Sequence, residues 1–460
     1  MRPVNQLARD QLATVLGRRA AVSAPELAAQ LGVSKATLHR LLPALGAQLL
    51  SAGAARRTRY ALRRPLRGRL ADLPLYAVDA EGRAHSLGAL ALLAPQGCHL
   101  RLDPANWPVP AEASDGWWDG LPYPLLDLRP QGYMGRQLAR AQHQALGVSA
   151  NPDEWRDDDV LQVLSQVGQD GSGHLILGDV ACGHWLAAQA APAEPVPAAT
   201  LGAHYLALAE QAVAAGVPGS SAAGEFPKFA ALRALAGSAT PQVLVKFSGA
   251  DDSPPVRRWA DLLVCEHLAL QAVARLPGLQ AAPSRIVQHG GRTFLEVERF
   301  DRHGRWGRSP LLSLATVNAA LLGDASTDWP HLAQRLVTGG WLAPADQAAV
   351  AMLWWFGRLI ANSDMHTGNL SLRPVAGRLQ LAPAYDMLPM RYAPLPGGEV
   401  PARDYAPPLP LPAQRPAWLA ACDAALAFWA EAAQDGRIGT AFRAQCADNL
   451  RRLRQLAERV

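Results

Sequence analysis

The feature that most constrains the fold is a polar segment, residues 362–369, which reads Asn-Ser-Asp-Met-His-Thr-Gly-Asn and follows a strongly apolar stretch. That stretch, residues 344–360, has the pattern of a buried helix, and proline is tolerated at its start. Two short strand-like runs follow the polar segment, at 370–372 and 379–381. The hairpin that they form is expected to return Asp386 to the end of the polar segment.

An Asp with an Asn five positions later, and a second Asp beyond a hairpin, is what phosphoryl transfer to a hydroxyl group requires. Asp364 is expected to accept the hydroxyl proton as the catalytic base. Asn369 and Asp386 are expected to hold Mg²⁺ against nucleotide phosphates, since this ion is bound through oxygen ligands. A polar surface loop of the same composition is the alternative, and the placement of Asp386 makes it the weaker one.

Lysine usage indicates a second part of the same site. Of the 44 basic residues only three are lysine, namely Lys35, Lys228 and Lys246. In a chain so biased toward arginine, a retained lysine marks a place where a compact charge is needed. Lys246 lies in an apolar strand-like run, and Glu266, in a helix-like segment, is its expected partner, as in the lysine–glutamate pair of protein kinases. The alternative is that the three lysines carry no chemistry.

A loop of small residues, 219–228, ends at Lys228 and would let backbone N–H groups approach phosphate. A flexible connector is the alternative interpretation of such a run. The order along the chain favours the site, because it runs from loop to strand lysine, helix glutamate, catalytic Asp, metal-binding Asn and metal-binding Asp.

From about residue 70 to 440 the chain resembles the HipA kinases, the toxin components of bacterial toxin–antitoxin modules. The matching segments are residues 221–228, 245–247, 296–302, 362–369 and 382–388, with a weaker match over 157–177. The segment 296–302 resembles the V-E-R-F-D-R hinge of that family. The motif at 362–369 alone would equally suit aminoglycoside- or choline-type small-molecule kinases, so the specificity comes from the whole set.

The resemblance implies that ATP and Mg²⁺ bind between two lobes. The residues expected around the nucleotide are Ala223, Gly224, Lys228, Lys246, Glu266, Glu298, Arg299, Phe300, His366, Asn369, Tyr385 and Asp386. Ser221 occupies the position at which family members carry an autophosphorylated serine, and Ser220 is the neighbouring alternative. A phosphate on this loop would repel the nucleotide phosphates and close the site. Phe226 and Pro227 depart from the family pattern, in which a polar pair is usual.

The first 70 residues are of a different kind. They hold thirteen basic and two acidic side chains, a net charge of +11, so the remainder carries about −6 of the total of +5. A basic module on a mildly acidic body indicates a polyanionic partner for the module. Its pattern is that of a winged helix-turn-helix, with helix-like runs at 4–16, 26–30 and 34–45 and strand-like runs at 48–50 and 58–62. Ser23 and Glu26 form a capping box at the start of the second helix.

In such a module the third helix enters the major groove of DNA, and the wing meets the backbone or the minor groove. The residues expected to contact DNA are Lys35, Thr37, His39, Arg40, Arg57 and Arg59. A helical interaction module with a solvated arginine face is the alternative. HipA proteins usually lack such a domain, and its fusion to the N-terminus resembles the YjjJ branch of that family.

The predicted fold class is α+β, a winged helix-turn-helix followed by a two-lobed HipA-like, protein-kinase-like fold with a mainly helical C-lobe. The predicted domains are residues 1–66 for DNA binding, 67–198 for a HipA-like N-terminal subdomain, 199–300 for the nucleotide-binding lobe and 301–460 for the helical lobe. Residues 63–68 are expected to form a hinge, and residues 187–197 an extended linker.

The remaining composition excludes other classes of protein. The five cysteines have neither metal-type nor catalytic spacing and are interpreted as reduced thiols. No apolar run approaches membrane-spanning length, and residues 1–6 lack an apolar signal region. These features predict a cytoplasmic protein that is associated with the nucleoid when bound to DNA.

Three functions compete. The predicted one is a HipA-type serine/threonine protein kinase, a toxin that uses ATP and Mg²⁺ and is fused to its own DNA-binding domain for autoregulation, as a homodimer on DNA. The alternatives are a DNA-binding regulator that senses ATP with little kinase activity, and a small-molecule hydroxyl kinase. Lys246, Glu266, Asp364, Asn369 and Asp386 are all present, which favours an active enzyme. The resemblance implies a protein substrate from the translation machinery, and an antitoxin as a further partner.

Overall fold

The computed structural model describes residues 6–214 and 226–460. Within these ranges the chain forms a small N-terminal unit, a middle domain, a lobe built on a five-stranded sheet and a mainly helical lobe. The predicted loop residues Ser220, Ser221, Ala223 and Gly224 lie outside the described residues. No helix in the described ranges is both long and apolar enough to cross a membrane.

The N-terminal unit contains three helices and a three-stranded antiparallel sheet with the strand order β1–β3–β2. Its elements are α1 (Gln6–Arg18), β1 (Val22–Ser23), α2 (Ala24–Gln30), α3 (Lys35–Leu41), β2 (Leu49–Ala52) and β3 (Arg59–Leu62). The predicted capping box is confirmed, since the Ser23 N–H donates to the Glu26 carboxylate at 3.0 Å and the Glu26 N–H donates to Ser23 Oγ at 3.4 Å. The third helix ends before the predicted residue 45, because Pro43 lacks an N–H donor.

The middle domain has a five-stranded antiparallel sheet with the order β7–β6–β5–β4–β8 and three main helices. Its elements are β4 (Leu73–Val78), β5 (Ala84–Leu92), β6 (Cys98–His99), β7 (Trp117–Trp118), α4 (Gly132–Leu146), α5 (Asp157–Val167), β8 (Leu175–Leu177) and α6 (Asp179–Ala190). Helix α5 begins with three consecutive aspartates, which favour the positive end of the helix dipole.

The predicted hinge at residues 63–68 is a bonded junction in the structure. Arg64 donates hydrogen bonds from both terminal nitrogens to the carboxylate of Asp158 on α5, at 2.8 and 2.7 Å. Arg63 pairs with Asp72 at 3.1 Å. Beside these pairs, Leu50 and Ala61 of the N-terminal sheet pack with Ala91, Leu93 and Trp117 of the middle domain. Arginines that the charge count had assigned to the basic module therefore also contact the middle domain, and the hinge stays a prediction.

The third part contains the strand that carries Lys246. Its elements are β9 (Val196–Pro197), α7 (Leu201–Ala214), β10 (Lys228–Ala234), β11 (Gln242–Phe247), α8 (Pro254–Val273), β12 (Ser284–His289) and β13 (Arg292–Glu298). The sheet order is β12–β13–β11–β10–β9, with β9 parallel to β10 and the other pairs antiparallel. The predicted linker at 187–197 thus ends in an edge strand of this sheet. Helix α8 begins at Pro254, and Pro254 and Pro255 occupy its first turn, where proline is tolerated.

The helical lobe carries the polar segment 362–369. Its elements are β14 (Arg302–His303), β15 (Gly307–Arg308), β16 (Leu312–Ser313), α9 (Leu314–Val317), α10 (Trp329–Thr338), α11 (Pro344–Leu359), β17 (Ser371–Val375), β18 (Arg378–Leu381), α12 (Arg415–Gln434) and α13 (Thr440–Ala457). The predicted helix and hairpin are both confirmed. The hairpin turns at Ala376 and Gly377, which have φ of 49° and 73°, the left-handed values that a tight strand connection requires.

Candidate active site

A cleft of about 900 Å³ lies between the two lobes and the middle domain. The predicted residues that line it are Lys228, Lys246, Glu266, Glu298, Arg299, Phe300, Asp364, His366, Asn369, Tyr385 and Asp386. Every residue that was predicted around the nucleotide and lies in a described range is therefore at one cavity. Cross-strand pairing of Lys228 with Lys246 places two of the three lysines of the chain side by side.

Lys246 is held between two carboxylates. Its Nζ donates to both oxygens of Glu266, at 2.7 and 2.8 Å, and to Oδ1 of Asp386. Burial raises the pKa of Glu266 to about 7, against the attraction of Lys246. Burial also opposes the charges of Lys246 and Asp386, but their mutual attraction outweighs it, so the pKa of Lys246 is raised and that of Asp386 is lowered. One ammonium shared by two carboxylates thus keeps Asp386 ionised.

The polar segment is fixed by its two asparagines. Asn369 donates from Nδ2 to the carbonyl of Asp364 at 2.9 Å. Asn362, which is buried, accepts from the Asp364 N–H at 3.0 Å and donates to the carbonyl of Asp386 at 3.4 Å. Asp386 has φ of 55°, a left-handed value that Asp adopts more readily than most residues. Asn362 thereby links the expected base to the expected metal ligand. In the sequence, the only sign of this role is that Asn362 lies two positions before Asp364.

The segment 296–302, which resembles the hinge of the HipA family, forms the opposite wall of the cleft, and we call this segment the hinge. Glu298 accepts from the buried guanidinium of Arg233 at 2.6 Å. The rings of Phe300 and Tyr385 are 5.6 Å apart between centroids. Arg373 donates to the carbonyl of Phe300 at 2.6 Å and thereby ties the hinge to the hairpin β17–β18. These contacts place the Phe300–Tyr385 ring pair at the cleft, beside the charged cluster.

Arg299 also forms ion pairs at this wall. Its guanidinium donates to Asp170 at 2.8 Å and to Asp301 at 3.2 Å. Arg302, three positions further along the hinge, donates to Asp301 at 2.6 Å and to Asp170 at 3.0 Å. We call this cluster, Asp170, Arg299, Asp301 and Arg302, the hinge latch. It joins the middle domain to the hinge, and sequence patterns gave no signal for it beyond an Asp within the glycine-rich run 168–173.

The sequence also missed the middle-domain wall of the cleft. The additional polar residues at the cavity are Asp127, Gln131, Ser172, Asp301, Ser313, Thr316, Thr367 and Ser371. Asp127, Gln131 and Ser172 come from the middle domain, far from the kinase-like motifs in sequence, so no local pattern could have placed them there.

The residues predicted to contact DNA lie on α3, on the β2–β3 connection and, in the case of Arg59, at the start of β3. Lys35, His39, Arg40, Arg57 and Arg59 have exposed side chains, and Thr37 is half-buried. The Thr37 hydroxyl accepts from Arg40 at 3.2 Å and lies 3.0 Å from the hydroxyl of Ser34, the cap of α3.

Two family models match the chain, the YjjJ-like toxin middle domain over residues 69–186 and the HipA-like C-terminal domain over residues 220–449. The protein Toxin YjjJ of Escherichia coli (strain K12) is 38% identical over 439 residues, which cover 95% of this chain and 96% of that protein.

Among solved structures, HipA of Shewanella oneidensis MR-1, determined with HipB and its operator DNA, superposes with a TM-score of 0.51. The superposition covers 84% of this chain and 97% of HipA at 16% identity, and it shows the fold alone. The superposition on the Helicobacter pylori proinflammatory kinase CtkA covers 50% of this chain and 91% of the CtkA chain, at 11% identity and with a TM-score of only 0.33.

The fold and the cleft therefore define a toxin of HipA architecture, with a kinase-like pair of lobes behind a middle domain. The chain belongs to the HipA family of toxins, and its full-length similarity is to the YjjJ-like members.

Proposed function

We propose that this chain is an ATP-dependent serine/threonine protein kinase that acts as a toxin. The observation that carries the proposal is the position of Lys246, which contacts both Glu266 and Asp386 in the cleft that also contains Asp364 and Asn369. A lysine on a strand, a glutamate on a packed helix and an aspartate after a hairpin are the parts that orient nucleotide phosphates in kinases.

The donor groups of the cleft suit Mg²⁺. Asp386 offers a carboxylate, and Asn369 offers Oδ1, since its Nδ2 donates to Asp364. Within the described ranges no three His, Cys, Asp or Glu side chains cluster as a metal site. Two protein ligands are the number expected when phosphate oxygens and water complete the shell. When bound, the ion neutralises charge on the phosphates.

The protein groups then divide the work. Lys246 and Lys228 attract the phosphates, and Phe300 with Tyr385 holds the base beside the hinge. Asp364, which is exposed at the cleft, accepts the proton of the acceptor hydroxyl. By family likeness the acceptor is a protein of the translation machinery, and Ser221, or Ser220 beside it, is the site of autophosphorylation.

Transfer from γ-labelled ATP to host proteins tests the proposal. Asp364→Ala should lower the transfer rate by about 100-fold or more, because a positioned base contributes that much. Ser363→Ala, at the neighbouring exposed position, should retain the wild-type rate. Phosphopeptides found with wild type and absent with Asp364→Ala would identify the substrate and any phosphate on Ser221. An unchanged rate in Asp364→Ala would contradict the assignment of Asp364 as the base, whereas absence of transfer by wild type would favour a regulator that binds ATP without using it.

We also propose that residues 1–66 form a winged helix-turn-helix that binds operator DNA as a dimer. Three helices, a sheet with the order β1–β3–β2 and exposed cations on α3 and the β2–β3 connection support this assignment. The HipA neighbour was solved with HipB and operator DNA, so DNA and an antitoxin are the partners proposed here as well. A mobility shift of the chain's own promoter fragment by the full-length protein, and none with an unrelated fragment, checks it.

A further inference from the structure

We propose that the middle domain completes the nucleotide site, and that Asp127 of this domain binds the ribose hydroxyls of the nucleotide. The inference rests on the proposed kinase function and adds to it a residue that selects ribonucleotides. It predicts that part of the substrate specificity lies outside the two kinase-like lobes.

A series of contacts places Asp127 next to the Phe300–Tyr385 ring pair. It accepts hydrogen bonds from Ser313 and Thr316, at the start of α9. Ser313 is the cross-strand partner of Ser371, whose hydroxyl lies 2.7 Å from the hydroxyl of Tyr385. Asp127 therefore lies at the Phe300–Tyr385 part of the cleft, which the proposal assigns to the base and sugar.

The charges of the cleft determine what Asp127 can bind. Lys228 and Lys246 attract phosphates to their side of the cavity, whereas a carboxylate would repel them. A carboxylate accepts hydrogen bonds, and the neutral donors of an adenine nucleotide are the ribose hydroxyls and the amino group of the base, of which we assign the hydroxyls to Asp127. Dinucleotide-binding proteins use an acidic side chain on ribose for the same reason.

Asp127 has one accepting position left for such a donor. Its Oδ1 accepts from Ser313 Oγ at 2.7 Å and from Thr316 Oγ1 at 2.9 Å, and its Oδ2 accepts from the Ser313 N–H at 2.6 Å. A carboxylate has about four lone-pair sites, so Oδ2 can accept one more hydrogen bond. Asp127 lines the cleft, and we assign that lone pair to a ligand there.

The same contacts hold Asp127 in place before a nucleotide arrives. The three donors fix its carboxylate on the helical lobe, and the hinge latch fixes the middle domain on the hinge. A preorganised acceptor loses little conformational freedom on binding, so its hydrogen bond contributes more fully to affinity. Gln131 lines the cleft close by in sequence and provides a second polar side chain on the same wall.

Calorimetric titration of the full-length protein with ADP and with 2′-deoxy-ADP, both with Mg²⁺, tests the inference. Wild type should bind ADP about tenfold or more tightly than 2′-deoxy-ADP, because a hydrogen bond to a charged group is at stake. Asp127→Ala should weaken ADP and leave 2′-deoxy-ADP nearly unchanged, so that the ratio approaches one. Asp119→Ala, the matched control, removes an exposed carboxylate of the same domain that does not line the cleft, and it should preserve the ratio.

The ratio separates recognition from a structural role. If Asp127 only supported the wall, Asp127→Ala would weaken both nucleotides equally and the ratio would persist, which overturns the inference. Equal affinities in wild type overturn it without any variant, should Asp127→Ala fail to fold. Absence of binding by both nucleotides would contradict the proposed kinase function itself and, with it, this inference.

Discussion

Arginine serves opposite purposes at the hinge latch and on the N-terminal unit. The Arg302 side chain is 0% exposed and donates to two carboxylates, whereas Arg57 projects into solvent at the tip of the β2–β3 connection. Each of the two residues contributes one positive charge to the net charge of the chain. A guanidinium presents five donors in a planar fork, which suits both a buried ion pair and an exposed phosphate contact. The environment of an arginine, and not its number, therefore decides what it contributes.

The largest expected effect belongs to the latch. Arg302→Ala would leave the buried carboxylate of Asp301 and the half-exposed carboxylate of Asp170 with fewer partners, and removal of one member of a buried ion pair such as Arg302–Asp301 costs about 3–5 kcal/mol of unfolding free energy. Denaturant unfolding followed by intrinsic tryptophan fluorescence would measure this loss. Arg335→Ala is the matched control, since Arg335 pairs with Asp324 at 47% exposure and should cost no more than about 1 kcal/mol. Equal losses in the two variants would contradict the contrast.

Buried arginines also affect their neighbours. Burial, together with the charges of Arg308 and Arg302, lowers the pKa of His174 to about 4. The unfolded chain has its histidine pKa near 6.5, so the unfolded state binds the proton first. The contribution of neutral His174 is present above about pH 6.5 and is lost as the pH falls toward 4, by at most about 3 kcal/mol.

His174→Phe should remove that part of the acid dependence while keeping a ring against Trp107, with which His174 stacks at 5.6 Å between ring centroids. Between pH 7 and pH 4 the unfolding free energy of wild type should therefore fall relative to that of the variant, by at most about 3 kcal/mol. Curves that run parallel over this range would show that the pKa of His174 is not lowered in the folded protein.

Local patterns were enough for the parts of the site that depend on short stretches of chain. Apolar periodicity and a following polar segment predicted α11, and alternating apolar residues predicted the hairpin that brings Asp386 to Asn369. Chemistry then assigned Lys246 to Glu266, and the structure confirms that ion pair.

Contacts between distant segments could not be predicted in this way. Asp170 meets Arg302 only because loop 168–173 packs on the hinge, and Asp127 reaches the cleft only because the middle domain covers it. Arg64 illustrates the same limit, since its charge gave no indication that Asp158 was its partner. Pairing across a fold depends on tertiary packing, which neither periodicity nor composition reports.

The smallest expected effect on stability, and the sharpest test of the contrast, comes from Arg57 and Arg64 of the same basic segment. Arg57→Ala should change the unfolding free energy by less than about 0.5 kcal/mol, because it is an exposed side chain. If Arg57 contacts a DNA phosphate, the salt dependence of DNA affinity should decrease by about 0.9 log unit per log unit of salt. Arg64→Ala should cost about 1 kcal/mol through its bidentate pair with Asp158 and leave that slope unchanged. Fluorescence anisotropy from about 50 to 200 mM salt, with unfolding on the same samples, measures both. A reduced slope in Arg64→Ala would assign this arginine to DNA, and an unchanged slope in Arg57→Ala would remove Arg57 from the proposed DNA contact.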